Sequence, residues 1–346
     1  MDYQKSRKLK NSLVIVTVGI VLAMFYPIAN QESLNSIING FLIGFVGSSF
    51  IALNEVVFDF KFIRKLSFKG AVLYKTVLYC TFFALIIPTI VIISRAKDAG
   101  MSVLAFINQG GLSHYVFNED FHVTMIYSLF ATLIFIFAYQ MTKKLGPGVM
   151  WDLITGKYHQ PREEKVIIMV IDMNNSTALA ERLGDIEFTN LLNDFFLEIT
   201  DSIVNHLGKI YRYVGDEMVV VWDYEKGIYD SIFLRTYFSA KKAILKNEQY
   251  FLDRYGEVPN FTASFSAGKV IVSEIGRFKS QISLSGDVLF EAVDIEKHCA
   301  KYSTGLLVAE TLIEKAYLPK YFQPQKEGEI TTSFGKTIGI YSVSKV

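Results

Sequence analysis

Four long apolar stretches before residue 145 constrain this chain more than any other feature. They cover about 12–29, 35–57, 71–94 and 122–141, and each is close to the roughly 20 residues that a helix needs to cross a bilayer. No small-residue cleavage site follows the first stretch and three more stretches come after it, so we interpret it as a span and not as a cleaved signal. The sequence predicts a membrane domain of four helices over residues 1–145.

Lysine and arginine flank these stretches on one side. They are Lys5, Arg7, Lys8 and Lys10 before the first stretch, Lys61, Arg64, Lys65 and Lys69 between the second and third, and Lys143 and Lys144 after the fourth. Positive residues favour the cytoplasmic side, so we expect a multi-pass protein of the inner cell membrane with both termini in the cytoplasm. The outward segment 95–121 is the expected sensing surface, and Lys75 is expected to snorkel to the inner interface.

Charge and cysteine content narrow the possible functions. The formal net charge is +1, and no concentrated basic face points to a nucleic-acid partner. The two cysteines, Cys80 and Cys299, have neither metal-ligand nor redox-pair spacing. Any chemistry must therefore come from other side chains.

A soluble domain is predicted after the membrane half. Residues 146–163 contain glycine and proline that interrupt helices, which indicates a linker. Beyond it, the hydrophobic patterns predict a strand in "KVIIMVID", a helix over 176–207, a hairpin over 209–222, a helix over 229–254 and a strand over 261–273. This order predicts an α+β domain over 164–346, a sheet with helices on one face.

Two aspartates stand at turns beside predicted strands. Asp172 closes "VIIMVID" just before a helix, and Asp216 lies in the turn of "YRYVGDEMVVVW". Alone, each is more often an ordinary turn residue, and Ser176 or Thr177 an ordinary helix cap. If the strands are neighbours, the two carboxylates can hold hard cations while the helix N-terminus receives phosphates. That pair is what phosphoryl or nucleotidyl transfer requires.

Four segments resemble, in order and spacing, the class III nucleotidyl cyclase family: "VIIMVIDMNNSTALAERLG", "HLGKIYRYVGDEMVVVW", "SAGKVIVSEIG" and "LSGDVLFEAVDIE". The resemblance covers about residues 164–346, and the four-span half looks like that of membrane-bound bacterial members. It implies an α-helical four-span membrane domain followed by an α+β catalytic domain with a βαββαβ core and an antiparallel-rich sheet. It also implies a homodimer or heterodimer with the nucleoside triphosphate bound between subunits.

The resemblance assigns roles to individual residues. It implies that Asp172 and Asp216 hold two Mg²⁺ or Mn²⁺ ions, with the Met173 carbonyl as a further ligand. Glu217 is then only the turn neighbour of Asp216. The positions implied to bind substrate are Asn175, Ser176 and Thr177 for phosphate, Arg212 and Ser283 for the base, and Lys336 for the triphosphate. Lys336 fits a solvated strand lysine equally well.

Two positions depart from the family pattern. Phe290 stands where the family has an asparagine, and Asp294 where it has an arginine, both of which stabilise the transition state. An apolar ring cannot orient the ribose, and a carboxylate opposes the developing negative charge. Loss of one such donor typically costs on the order of hundreds-fold in rate. Arg277 or Lys279, in the loop before Ser283, could replace the arginine.

The sequence thus leaves more than one function open. The first is a membrane-anchored cyclase that forms cyclic AMP and pyrophosphate from ATP. The second is a degenerate, cyclase-like regulatory subunit that needs a partner to supply asparagine and arginine. "VGDE" also resembles the turn of diguanylate cyclases, but Val214 and Met218 replace their glycine and phenylalanine. An inert receptor domain would leave the spacing of Asp172, Asp216 and Lys336 unexplained.

Overall fold

The computed structural model describes residues 3–57, 66–146, 149–278, 280–302 and 304–346. The chain divides into two compact units, Met1–Leu145 and Gly146–Val346. Several basic residues named above lie outside the described residues, wholly or in their side chains: Lys5, Arg7, Lys61, Arg64, Lys65, Lys143 and Lys279.

The first unit is helical. Its long helices are α1 (Tyr3–Ala29), α2 (Leu34–Ala52, continued by the π-helical turn Leu53–Val57), α3 (Phe68–Asp98) and α6 (Glu119–Leu145), and the short α4 (Val103–Asn108) and α5 (Gly111–Val116) lie between α3 and α6. Among the residues that the structure describes, four helices are long and apolar enough to cross a membrane. Helices α1 and α2 approach closely at Gly44, where an added Cβ would lie 2.8 Å from that of Ala23.

Lys75 does not snorkel, so that prediction is wrong. Its side chain is buried on α3 and forms an ion pair with Glu55 in the π-helical turn. The Tyr79 hydroxyl donates to the same carboxylate at 3.0 Å. Because a neighbouring helix supplies a carboxylate, the ammonium group is satisfied inside the bundle and gains nothing by reaching the interface.

The second unit is built on one eight-stranded sheet. Its strands are β1 (Arg162–Met173), β2 (Lys209–Val214), β3 (Glu217–Asp223), β4 (Phe261–Ile275), β5 (Gln281–Ser285), β6 (Leu306–Ala309), β7 (Phe322–Thr331) and β8 (Thr337–Lys345). Their order is β2-β3-β1-β4-β6-β8-β7, and β5 pairs with β4. Strands β4 and β6 run parallel, whereas the pairs around β1 are antiparallel.

The helices of this unit are shorter than predicted. They are α7 (Val149–Ile154), α8 (Ser176–Leu183), α9 (Asp185–Asn205), α10 (Tyr224–Ile228), α11 (Ile232–Lys246), α12 (Glu248–Tyr255), α13 (Asp287–Lys297) and α14 (Glu310–Ile313). The single helix predicted over 176–207 breaks at Gly184, which has φ +76°. The one predicted over 229–254 is interrupted at Asp230, with φ +52°, and at Asn247.

Helices cover both faces of the sheet, so the one-face prediction is wrong. Strand β1 places Ile167, Met169 and Ile171 in a core with α9, α11 and α12. Its alternate residues, Val166, Ile168 and Val170, pack in a second core with Val288, Leu289 and Ala292 of α13. Because "VIIMVI" is apolar at every position, both faces of β1 need a cover.

Candidate active site

Asp172 and Asp216 come together at one end of the sheet. Strands β1 and β3 are antiparallel neighbours, and Asp172 lies directly opposite Glu217. Asp216 comes just before Glu217 in the tight turn between β2 and β3, where Gly215 has φ +63°. The positive φ suits glycine, which has no Cβ to clash. The neighbour relationship required by the sequence argument is therefore present.

Negative charge accumulates around this pair. Burial, and after it the charge of Asp216, raises the pKa of the Asp172 carboxyl to about 7. Glu296 and Glu217 add to this effect. Burial is also the main reason that the pKa values of both glutamates are raised. Such crowding of carboxylates fits a site that becomes neutral when it binds cations.

Glu296 and Thr262 belong to this site but were not singled out from the sequence. Thr262 lies opposite Asp172 on β4, and its hydroxyl donates to Glu296 Oε1 at 2.6 Å. The same hydroxyl oxygen is 3.3 Å from Asn174 Oδ1. Glu296 is in the last turn of α13, so its proximity depends on the docking of α13 against β1, which short motifs do not reveal.

The donor set fits Mg²⁺ or Mn²⁺. Within the described ranges, no three histidine, cysteine, aspartate or glutamate side chains are arranged to hold a metal on their own. Magnesium is usually bound by one or two carboxylates, with water and substrate phosphates filling the other positions. Two aspartates, with a backbone carbonyl such as that of Met173, match that pattern.

The start of α8 follows directly after Asp172 and Met173. Asn175 has φ +57° and occupies the cap position without a side-chain cap bond, and Ser176 is the first helical residue. The alternative in which Ser176 or Thr177 caps the helix is therefore wrong. The first N–H groups of a helix have no acceptor within it, so this end offers donors beside the acidic cluster to a bound anion.

The two candidate base-binding residues lie on different strands. Arg212 is exposed on β2, close enough to Glu217 to oppose the rise in that carboxyl's pKa. Ser283 is half-buried on β5, opposite Ser273. One hydrogen bond joins the two strands next to these residues: the Leu284 N–H on β5 donates to the Tyr211 hydroxyl on β2 at 2.8 Å.

Lys336 contacts a carboxylate other than the paired aspartates. Its ammonium group lies 2.9 Å from Glu291 Oε2. Glu291 is buried on α13, and its other oxygen accepts from the Ser266 hydroxyl at 2.7 Å. Within one chain, Lys336 is thus held against α13.

The two departed positions contact the turn just before Lys336. The Asp294 carboxylate accepts hydrogen bonds from the backbone N–H and the hydroxyl of Ser333. The Phe290 ring, half exposed, packs edge-on against Phe334 at 5.2 Å between centroids. Three residues of α13 therefore hold the 332–336 turn. Arg277, the suggested replacement for the missing arginine, is exposed and lies 5.9 Å from the Phe278 ring.

Comparison with known proteins gives one curated relative. No family model matches. Adenylate cyclase 2 of Rhizobium meliloti (strain 1021) is 29% identical over 205 residues, which are 59% of this chain and 56% of the relative. The chain thus matches little more than half the length of that relative.

Solved structures give the fold. A bacterial light-regulated adenylyl cyclase matches with a TM-score of 0.54 and 20% identity over 66% of each chain. A second structure of a bacterial light-regulated adenylyl cyclase also has a TM-score of 0.54, with 19% identity over 66% of this chain and 67% of that one. The predicted resemblance and fold class are confirmed: four apolar helices precede an α+β domain with the class III cyclase fold.

Proposed function

We propose that this chain, whose second unit has the class III cyclase fold, is a membrane-anchored nucleotidyl cyclase that forms cyclic AMP and pyrophosphate from ATP. The observation that carries the proposal is the convergence of Asp172 and Asp216 at one sheet edge, beside a helix N-terminus. The relative named adenylate cyclase supports adenine as the base.

In the proposed mechanism, Asp172, Asp216 and the Met173 carbonyl would hold two Mg²⁺ or Mn²⁺ ions. When bound, these ions lower the pKa of the ribose 3′-hydroxyl and neutralise the triphosphate. The 3′-hydroxyl passes its proton to solvent water, its oxygen bonds to the α-phosphorus, the bond from that phosphorus to the bridging oxygen breaks, and pyrophosphate leaves. The N–H groups of the cap residue Asn175 and of Ser176 and Thr177, the first two residues of α8, hold phosphate oxygens.

The remaining substrate contacts come from a second subunit in this proposal. Arg212 and Ser283 contact the base, and Lys336 leaves Glu291 to bind the triphosphate. Lys336 in this chain contacts α13 and not the aspartates, which supports a site shared between two chains. We propose that the chain lies in the inner cell membrane, with the second unit and both termini in the cytoplasm. The reason is that lysine and arginine cluster at the ends of the spans nearest the two termini, and such residues favour the cytoplasmic side.

A second candidate is favoured by the contacts at the departed positions. Asp294 is engaged by Ser333, and Phe290 packs on Phe334, so neither side chain is positioned to assist phosphoryl transfer. A regulatory subunit would bind nucleotide through its aspartates and depend on a different chain for asparagine and arginine. The heterodimer would then hold one complete set of catalytic groups.

Product analysis of the purified full-length protein separates the two candidates. ATP, GTP, CTP and UTP are incubated separately with Mg²⁺ or Mn²⁺, and products are identified by mass spectrometry. Asp216→Ala removes the proposed ligand, and Asp201→Ala, at an exposed position of α9, is the matched control. We expect cyclic AMP from wild type and from Asp201→Ala, and none from Asp216→Ala. Binding without turnover of any triphosphate would favour the regulatory subunit.

A further inference from the structure

A cavity of about 450 Å³ lies among the long helices of the first unit. Helices α1, α2, α3 and α6 all contribute to its wall, and α5 contributes Tyr115. The volume falls within the range of about 300–1,000 Å³ that is common for small-molecule sites. The proposed enzyme chemistry, at the sheet edge of the second unit, makes no use of this cavity.

The cavity is deep and narrow. Its wall on α1 extends from Ile15 to Pro27, about 18 Å at the helical rise of about 1.5 Å per residue. On α6 the wall extends from Asp120 to Phe135, about 22 Å by the same rise. Dividing 450 Å³ by about 20 Å gives a mean cross-section of about 22 Å². That mean section is close to the cross-section of one extended hydrocarbon chain.

The two ends of the cavity differ in polarity. Ile15, Ile51 and Phe135 line the end near the N-terminus of α1 and the C-terminus of α6. All three are buried or half-buried in the bundle. The other end, near the α1–α2 turn and the start of α6, contains the charged lining residues. A ligand that matches this wall has a long apolar body and one polar end.

The polar end has an excess of negative charge. Glu32, Asp120 and Arg95 line it. The Arg95 guanidinium lies 3.8 Å from Asp120 and 5.0 Å from the centre of the Tyr115 ring. Its positive charge is therefore already paired with the Asp120 carboxylate. Glu32 has no ion pair among the residues that the structure describes. One carboxylate is thus left to attract a positively charged group.

Two tyrosines line the same cavity as the exposed Glu32. Tyr26 and Tyr127 line the cavity with ring centroids 5.7 Å apart. The Tyr127 hydroxyl donates to the Leu22 carbonyl at 2.7 Å, which fixes its ring at the α1–α6 contact. Aromatic faces attract ammonium groups, and the attraction is strongest where water is excluded. A carboxylate with two aromatic rings is a set suited to an organic cation.

We propose that this cavity binds a single-chain amphiphile with a cationic amine head, with the head against Glu32, Tyr26 and Tyr127 and the chain among the four helices. The small residues Gly40 and Gly44 keep α1 and α2 in contact along the cavity wall. An added Cβ at Gly40 would lie 2.9 Å from the Ala23 carbonyl oxygen. The site belongs to the membrane unit, and the proposal does not depend on nucleotide turnover.

The test is photolabelling of the full-length protein in nanodiscs of neutral lipid. The probe is dodecylamine with a photoreactive diazirine at the chain end, and labelled peptides are identified by mass spectrometry. Unlabelled dodecylamine, dodecanoate and dodecanol, which share one chain length, are the competitors. We expect saturable labelling of α1 and α6 peptides that dodecylamine displaces at least tenfold more effectively than the other two. Equal displacement by all three overturns the proposal, because the cavity would then be only a lipid-filled crevice.

Variants test the head and the chain separately. Glu32→Gln should weaken probe binding about tenfold without closing the cavity. Ala131 lines the cavity, so Ala131→Leu should fill part of its volume and abolish labelling. Thr89→Leu adds a leucine at an exposed position of α3 and is the control. Unchanged labelling in both Glu32→Gln and Ala131→Leu contradicts the proposal. Because the readout is labelling, the absence of cyclase activity would leave this result unaffected.

Discussion

The Asp294 carboxylate accepts two hydrogen bonds from Ser333, one from the backbone N–H at 2.7 Å and one from the hydroxyl at 2.8 Å. Asp294 stands where the class III pattern has a transition-state arginine. Here it joins α13 to the turn that precedes Lys336. In this chain, the contacts of the Asp294 carboxylate are therefore those of a residue that holds a loop in place.

Replacing Asp294 should destabilise the second unit more than replacing Ser333 does. Asp294→Ala removes the charged acceptor of both Ser333 hydrogen bonds, so we expect a loss of about 1.5–3 kcal/mol. Ser333→Ala removes only the hydroxyl donor and should cost about 1 kcal/mol. Thermal unfolding of the full-length protein measures both. Glu329→Ala, on an exposed part of β7, should leave the midpoint unchanged.

The contribution of Asp294 should depend on pH. The Ser333 hydrogen bonds oppose the effect of burial and hold the pKa of the Asp294 carboxyl below its ordinary value. A depressed pKa means that the contribution is present above the unfolded-state pKa and disappears as pH falls through the folded-state value. The stability difference between wild type and Asp294→Asn should therefore shrink in acid. A difference that grows as pH falls would contradict this account.

Lys336 and Glu291 should behave as a coupled pair. Lys336→Met leaves the Glu291 carboxylate buried without its cation, and breaking such a pair costs about 3–5 kcal/mol at a fully buried site. We expect less here, because the Lys336 side chain is 60% exposed and solvent screens the pair. Adding Glu291→Gln should recover most of the loss. Thermal unfolding of the two single variants and the double variant gives the coupling, and strictly additive losses would show that the two residues act independently.

Much of the sheet followed from local pattern. The run "VIIMVI" predicted a buried strand. That the strand is covered on both faces was not predicted. The stretch "YRYVGDEMVVVW" predicted a hairpin, because glycine tolerates the positive φ of its turn. Asp172 and Asp216 were singled out on the same grounds. Their closeness still required β1 and β3 to be neighbours, which is a property of the whole sheet.

Other features depended on long-range packing. Glu296 reaches the acidic cluster only because α13 docks on β1, and Lys75 is satisfied by Glu55, twenty positions earlier. The helix breaks at Gly184 and Asp230 were missed because apolar spacing continues across both positions. Hydrophobic periodicity reports which face is buried, but it does not report which partner satisfies a buried charge or where a helix changes direction.

The turn that carries Asp216 should tolerate asparagine better than alanine at Gly215. No atom lies within 4 Å of a Cβ added there, so the cost is backbone strain at φ +63° and not a clash. Gly215→Ala should lose about 1–2 kcal/mol, or roughly 2–8 °C in melting temperature, and Gly215→Asn less, because asparagine adopts this conformation more readily. Equal melting temperatures for all three proteins would show that the turn relaxes freely.

The acidic cluster should make the metal-free second unit less stable as pH rises. Asp172 has a folded-state pKa of about 7 against an ordinary value of 3.8, so the folded state binds more protons than the unfolded state between these values. Stability must then fall with rising pH across that window. Asp172→Asn removes this titration and should flatten the dependence, whereas Asp201→Asn should leave it as in wild type.

Fluorescence of the buried Trp222, in a Trp151→Phe background that removes the exposed tryptophan, measures this effect during thermal unfolding. The full-length protein is studied in EDTA from about pH 4 to about pH 8, which brackets the titration. Adding Mn²⁺ should restore stability at the upper end for wild type, because an ion that binds only the folded state stabilises it. Asp172→Asn should respond less to the metal. If wild type and Asp172→Asn show the same pH dependence and the same response to Mn²⁺, then Asp172 is neither the titrating group nor a metal ligand.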